Sequence, residues 1–153
     1  MSDHTKLCWK HVRLGWWLFL IFAILGVVLE SLHGLKIESY LGVENKIRRL
    51  TWTLSHAHGT LLALVHFCFA MTVKMTPGWN SGSRTAASRC LVSAGILIPA
   101  GFFCGGLFPY AGDPGVGILM VPLGAIALIV AVAMTIRAVS QEQRREESSS
   151  DQA

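Results

Sequence analysis

The sequence LGWWLFLIFAILGVVLESLHGL at residues 14–35 decides the fold. A helix needs about 20 predominantly apolar residues to cross the hydrocarbon core of a bilayer, and this run reaches that length. Three further apolar runs of similar length follow at residues 51–73, 90–110 and 115–136. Glu30 is the only Asp, Glu, Lys or Arg within the four runs. The sequence therefore predicts an all-α, polytopic integral membrane protein whose four transmembrane helices form an antiparallel bundle.

The composition of the 153-residue chain indicates the same class, with 52% hydrophobic and 14% charged residues. Typical soluble domains carry about 25% charged residues. The low charge excludes a soluble enzyme, and four cysteines without a C-x-x-C pair give no disulfide framework. The basic residues behind the net charge of +4 flank the apolar runs, as in membrane proteins. The expected partner is the lipid bilayer and not nucleic acid.

Charge placement also predicts the orientation in the membrane. The chain begins with the charged-then-apolar order of a signal peptide, but no small-residue cleavage site follows the first run, so we expect a retained first helix. With the amino terminus inside, more Lys and Arg lie on the inner side than in the outer loop 36–50. The positive-inside rule then places both termini in the cytoplasm and the protein in the cell (inner) membrane. The outer loop itself is predicted to form a short interfacial helix.

The chain divides into two parts by composition. Residues 1–139 are predicted to form a single four-helix transmembrane domain, and residues 140–153 a disordered polar tail. Within the third run, Gly101 and Gly105 have the small-xxx-small spacing of closely packed membrane helices. We expect close backbone packing at this face, with a homo-oligomer or a larger membrane complex assembled through it.

Four polar residues are predicted to meet near the outer face of the membrane. Glu30 and His33 lie at the outer end of the first helix, while His56 and His58 begin the second, antiparallel helix. Ionisable residues inside a membrane are costly and mark candidate functional sites. We therefore predict a metal site made of all four. The structural alternative is a hydrogen-bonded Glu30–His33 pair at a helix end, with hydrated histidines facing the outer loop.

The remaining histidines are predicted to lie away from that site. At 1.5 Å of rise per residue, His66 lies about 12 Å from His58 and about 15 Å from His56 along the helix axis. One metal ion cannot bind His66 together with either of them, so His66 is a separate, deep group. It is either an alternate haem ligand or a donor to a backbone or hydroxyl oxygen across the bundle. His4 and His11 precede the first run, and we predict no specific role for them.

Residues 54–62, LSHAHGTLL, resemble the second helix of haem–copper oxidase subunit I, where the histidine of a His-Gly pair is an axial haem ligand. This resemblance implies that His58 is an axial haem ligand. A four-helix chain lacks the further helices and histidines of that family, so at most a single-haem module is implied. The length, the helix number and a Ser-His pair near the start of the second helix also resemble hydroxylaminobenzene mutase and similar small bacterial four-helix membrane proteins.

Several functions are compatible with this pattern, while substrate and oligomeric state stay open. The first is redox or metal handling with haem b or a transition metal, since imidazole ligates both. His58 with His33 is the expected haem pair, His66 the alternate, and Glu30 a metal ligand or the partner that orients a histidine. The alternatives are a small-molecule or proton transport component, an enzyme using Glu30 and a histidine as acid and base on a lipophilic substrate, and an accessory subunit without chemistry of its own.

Overall fold

The computed structural model describes residues 3–110 and 112–151, and within these ranges it is helical without strands. Four of its helices are long and apolar enough to cross a membrane, which confirms the predicted all-α class with four candidate spans. The elements are α1 (Asp3–Gly34), α2 (Glu38–Leu41), a 3-10 turn (Val43–Asn45), α3 (Lys46–Met75), α4 (Ser81–Leu107), a second 3-10 turn (Val116–Leu119) and α5 (Met120–Ser150).

The long helices pack side by side in chain order: α1 on α3, α3 on α4, and α4 on α5. Neighbours run antiparallel, because contacts pair low numbers on one helix with high numbers on the next. A Cβ at Gly15 would lie 2.9 Å from Phe67 Cε1, and one at Gly26 would lie 2.5 Å from His56 Cε1. We call the end of this row that holds residues 76–80 the turn end, and the end that holds residues 35–45 the loop end. α1 and α5 lie at the two sides of the row.

Glycines set the close packing of α4 on α5. A Cβ at Gly101 would lie 2.8 Å from Val121 Cγ2, and one at Gly105 would lie 3.5 Å from Ile118 Cβ. Both glycines are buried. Both glycines therefore pack closely within one chain, Gly101 against α5 and Gly105 against the second 3-10 turn. Assembly with a second copy through this face stays a prediction.

The helices extend past their apolar runs at the turn end, where the flanking residues are charged. α1 begins at Asp3 instead of residue 14, and the Lys6 ammonium pairs with the Asp3 carboxylate at 3.4 Å in its first turn. α4 likewise begins at Ser81 instead of residue 90, because the Asn80 side chain accepts hydrogen bonds from the amides of Gly82 and Ser83 as its N-cap. Hydrophobicity marks the membrane crossing, whereas capping marks the helix start.

α5 also continues through residues 140–150, where the composition predicts a disordered tail. The Arg145 guanidinium donates to the Gly78 carbonyl oxygen at 2.9 Å. The Gly78 amide in turn donates to the Glu142 carboxylate at 3.3 Å. The described part of this segment is thus helical and docks on the turn at residues 76–80, since a polar helix can be held by local hydrogen bonds without burying an apolar face.

The loop at residues 36–50 forms one turn of helix, α2, in place of the predicted interfacial helix, and α3 then starts at Lys46. Two arginines of α3, Arg48 and Arg49, hold this turn. Arg49 donates to the carbonyl oxygens of Tyr40, Leu41 and Gly42, with the bond to Leu41 at 2.6 Å. The concentration of basic residues in this loop is therefore explained by carbonyls at the end of α2.

Candidate functional site

A cavity of about 470 Å³ lies between α1 and α3 towards the loop end. Three of the four residues predicted for the metal site line it, namely Glu30, His33 and His56. Glu30 and His33 are exposed on α1, and His56 is half-buried on α3. The convergence of these three residues at one depth, predicted from the antiparallel order of the helices, is present in the structure.

The His56 ring is fixed by the backbone of α1. Its Nδ1 lies 2.7 Å from the Phe22 carbonyl oxygen. A carbonyl can only accept, so Nδ1 carries the hydrogen and Nε2 of the neutral ring is an acceptor. The ring sits in a notch left by Gly26, where an added Cβ would lie 2.8 Å from Nδ1. One histidine of the loop-end cavity is therefore oriented for accepting a hydrogen bond.

His58 does not line this cavity. Its Nδ1 donates to the Leu54 carbonyl oxygen of its own helix at 2.8 Å, and its ring centroid lies 4.9 Å from that of Phe102 on α4. Two residues along a helix differ by about 200° in direction, so His56 turns to α1 and His58 to α4. The predicted haem pair of His33 and His58 is not brought to one cavity. Within residues 3–110 and 112–151, no group of three or more His, Cys, Asp or Glu is placed to hold a metal ion.

The most deeply buried polar group lies towards the turn end and joins three helices. His11 of α1, His66 of α3 and Ser88 of α4 are 0%, 0% and 1% exposed. The Nδ1 atoms of His11 and His66 lie 2.8 Å apart, and His11 Nε2 lies 2.8 Å from Ser88 Oγ. We call this hydrogen-bonded series, from Ser88 through His11 to His66, the histidine chain.

The histidine chain has two neutral hydrogen arrangements, because a single hydrogen occupies the short contact between the two Nδ1 atoms. In the first, His11 Nδ1–H donates to His66, Ser88 donates to His11 Nε2, and His66 Nε2 carries a hydrogen. In the second, His66 Nδ1–H donates to His11, His11 Nε2–H donates to Ser88, and His66 Nε2 is bare. Whether His66 Nε2 carries a hydrogen therefore depends on the direction of the two hydrogen bonds, the one between His11 and His66 and the one between Ser88 and His11.

The His66 Nε2 atom faces α4 at Gly95, where the helix carries no side chain. His66 Nε2 is buried and has no hydrogen-bond partner among the described residues. It lies beside Gly95, where a Cβ would be 2.9 Å away. Pro99, four residues later, has no N–H to give to the Gly95 carbonyl. His66 Nε2 and the Gly95 carbonyl, which lacks its usual helical donor, therefore both lie at residue 95 of α4.

An apolar layer between α3 and α4 lies on the loop-end side of the histidine chain. Leu62, Ala94 and Ile98 form a buried cluster one helical turn from His66 towards the loop end. Beyond it, Ser55 donates to the Pro99 carbonyl at 2.8 Å. The polar groups of the two ends are thus separate sites.

His11, for which the sequence predicts no specific role, lies inside the bundle in contact with His66 and Ser88. The buried residues of α1 are His11, Gly15, Phe22 and Leu29, which lie on one stripe of the helix. Taking the helix to begin at residue 14 put His11 outside it. Extending the helical periodicity back past Arg13 would have placed His11 on the same face as Gly15. His66, predicted as a deep and separate group, is indeed buried apart from the loop-end residues.

No protein-family model, curated protein or solved structure matches the chain.

Proposed function

We propose that this chain is a multi-pass protein of the cell (inner) membrane, with both termini cytoplasmic, that acts as a proton-relay component. The observation that carries the proposal is the histidine chain, a hydrogen-bonded series across three helices that ends at an unpartnered ring nitrogen. Chains of ionisable residues that face the interior of a membrane protein are typical of proton relays. The orientation follows from the distribution of Lys and Arg.

The relay step moves one hydrogen along each link. Ser88 Oγ takes a proton from water at the turn end while it gives its own hydrogen to His11 Nε2. Starting from the first arrangement, His11 Nδ1–H passes to His66 Nδ1, and His66 Nε2–H leaves to a water molecule beside Gly95. The histidine chain is then in the second arrangement, and both rings must return to the first before another proton can pass. The net result is one proton moved from Ser88 to the level of Gly95, about 10 Å along α4 at 1.5 Å per residue. Each ring gains and loses one hydrogen and stays neutral.

A cavity of about 710 Å³ at the turn end is lined by Arg84, one helical turn before Ser88. The proposal requires water to reach Ser88 from this cavity. At the other end of the series, the layer of Leu62, Ala94 and Ile98 stands between His66 and the loop end. We expect this layer to limit the rate of proton passage, since an apolar layer offers no hydrogen-bond partners.

Proton flux into vesicles tests the proposal. The full chain is reconstituted into vesicles loaded with a pH-sensitive dye, and a potassium gradient with valinomycin drives proton entry. We expect flux above that of protein-free vesicles, and a drop to near that background in Ser88→Ala and His66→Phe. His58→Phe is the matched control, because His58 lies on the same helix as His66 and outside the histidine chain.

Two results would contradict the proposal. One is wild-type flux equal to that of protein-free vesicles. The other is unchanged flux in both Ser88→Ala and His66→Phe. Circular dichroism and size-exclusion profiles verify that the variants fold, and Ser88→Ala removes a single oxygen atom, so it keeps the test valid if His66→Phe does not fold.

A further inference from the structure

A second cavity at the turn end, between α1 and α3, combines apolar walls with a basic rim. Its volume is about 430 Å³, which lies in the range of about 300–1,000 Å³ found for small-ligand sites. Val12, Phe67, Ala70 and Met71 provide apolar wall, and His4 and Lys74 provide polar groups. We call it the turn-end cavity. It is distinct from the histidine chain, whose residues do not line it.

One polar atom of this cavity is buried and without a partner. His4 Nε2 is inaccessible to solvent, and no described residue hydrogen-bonds to it. Buried polar atoms of proteins are nearly always hydrogen-bonded, and each exception calls for an explanation, such as an absent ion or ligand. A ligand oxygen in the cavity would provide the missing partner if the His4 ring turns towards it.

The charge of the rim favours an anion. Lys74 lines the cavity, and among residues 3–110 and 112–151 the ion pairs are Lys6–Asp3 and Arg145–Glu142, so no carboxylate neutralises Lys74. No Asp or Glu of the described residues lines the cavity. An ammonium group and an imidazole N–H together match an anionic oxygen, since charge-assisted hydrogen bonds are the stronger kind.

Depth in the membrane favours an amphiphile. Lys74 directly follows the apolar run 51–73, and Trp9, which also lines the cavity, is 62% exposed. Tryptophan and lysine at the end of a span mark the level of the lipid headgroups. A ligand with its head at Lys74 would direct its apolar part along Phe67 and Ala70 into the bilayer.

We propose that the turn-end cavity binds a single-chain anionic amphiphile, a long-chain carboxylate. Its carboxylate pairs with the Lys74 ammonium and accepts a hydrogen from His4 Nε2, and its chain lies against Val12, Phe67, Ala70 and Met71. One chain suits a small-ligand volume, and a two-chain phospholipid does not. The proposal is independent of the proton relay, because it uses none of the same residues.

Native mass spectrometry tests this assignment with palmitate as the probe. The purified full chain in a neutral detergent is titrated with palmitate, with the uncharged hexadecanol, and with a two-chain phosphatidylglycerol. We expect one palmitate per chain and weaker retention of hexadecanol. Lys74→Gln should lower palmitate affinity about tenfold, as expected for loss of a hydrogen bond to a charged group. Ala70→Phe should also lower it by filling the cavity.

Lys10→Gln is the matched control, because it removes the same charge from an exposed position that does not line the cavity. It should bind palmitate like the wild type. Three results would overturn the assignment: equal weakening by Lys10→Gln and Lys74→Gln, unchanged binding in Lys74→Gln, or preferential retention of phosphatidylglycerol. Lys74 is exposed, so its variant remains informative if Ala70→Phe does not fold.

Discussion

The Nδ1 atoms of His11 and His66 lie 2.8 Å apart, with both rings fully buried between α1 and α3. A single hydrogen lies between the two Nδ1 atoms, so the tautomer of one neutral ring determines the tautomer of the other. The pair connects the first helix to the third, and His11 extends the connection to Ser88 on α4. Two residues far apart in the sequence thus form one chemical unit.

Removing His11 should destabilise the protein more than removing any loop-end histidine. His11→Ala leaves His66 Nδ1 and Ser88 Oγ without their partner and opens a cavity, which together cost about 2–5 kcal/mol. The measurement is the free energy of unfolding in detergent. His33→Ala is the control, since His33 is exposed on α1. Equal stability of the two variants would contradict the burial of His11.

Histidine tautomers can be read directly by ¹⁵N NMR. His56 and His58 each face a carbonyl oxygen with Nδ1, at 2.7 and 2.8 Å. Both should therefore be Nδ1–H tautomers when neutral, since a carbonyl cannot donate. A coupling across the hydrogen bond should link the Nδ1 atoms of His11 and His66. Finding the Nε2–H tautomer at His56 would disprove its contact with Phe22.

Gly95→Ala should disturb the histidine chain without removing a polar group. The added Cβ would lie 2.9 Å from His66 Nε2, so the ring must shift. Overpacking of this kind costs about 1–3 kcal/mol, and proton flux in vesicles should fall. Gly34→Ala is the matched control, because nothing lies within 4 Å of the position of its Cβ. A Gly95→Ala protein with wild-type stability and flux would show that His66 does not lie against α4.

The separation of His33 from His58 leads to a testable prediction about haem binding. Since the two do not share a cavity, His33 and His58 should not hold a haem together, and any Soret band should be unchanged in His33→Ala and in His58→Ala. An absorption spectrum with metal analysis is the measurement. A Soret band that disappears in His58→Ala would instead favour the haem ligation implied by residues 54–62, and would require a different placement of His58.

Amide exchange should report the end of α5. The amides of residues 142–147 lie in helix and should exchange more slowly than those of an unstructured chain. Arg145→Ala should speed their exchange, because it removes the hydrogen bond to the Gly78 carbonyl. Random-coil exchange rates in the wild type would contradict the helix at these residues and support the disordered tail predicted from composition.

Much of the fold could be predicted because the membrane restricts the choices. Four apolar runs fix four helices, and their alternating direction fixes depth, which brought Glu30, His33 and His56 to one level. The direction in which a side chain points was harder to predict. His58 lies at the same depth as His56, but α3 packs on α1 with one face and on α4 with another, and the sequence of α3 alone does not assign those faces.

His11 was missed for a different physical reason. Lys10 and Arg13 lie just before the apolar run, so hydrophobicity alone places the start of the helix after them. A helix needs only backbone hydrogen bonds to continue past the membrane boundary, so burial by neighbouring helices can resume beyond the last apolar residue. The spacing of His11, Gly15, Phe22 and Leu29 places all four on one face of the helix, and this spacing can be read from the sequence.

Four polar residues of the chain form two groups that share no side-chain contact. His11 and His66 belong to the turn end, with the apolar layer of Leu62, Ala94 and Ile98 on their loop-end side, and His33 and His56 line the cavity towards the loop end. Substitutions in one group should therefore add to those in the other in their effect on stability. A single small chain thus carries two polar groups that can change independently of each other during evolution.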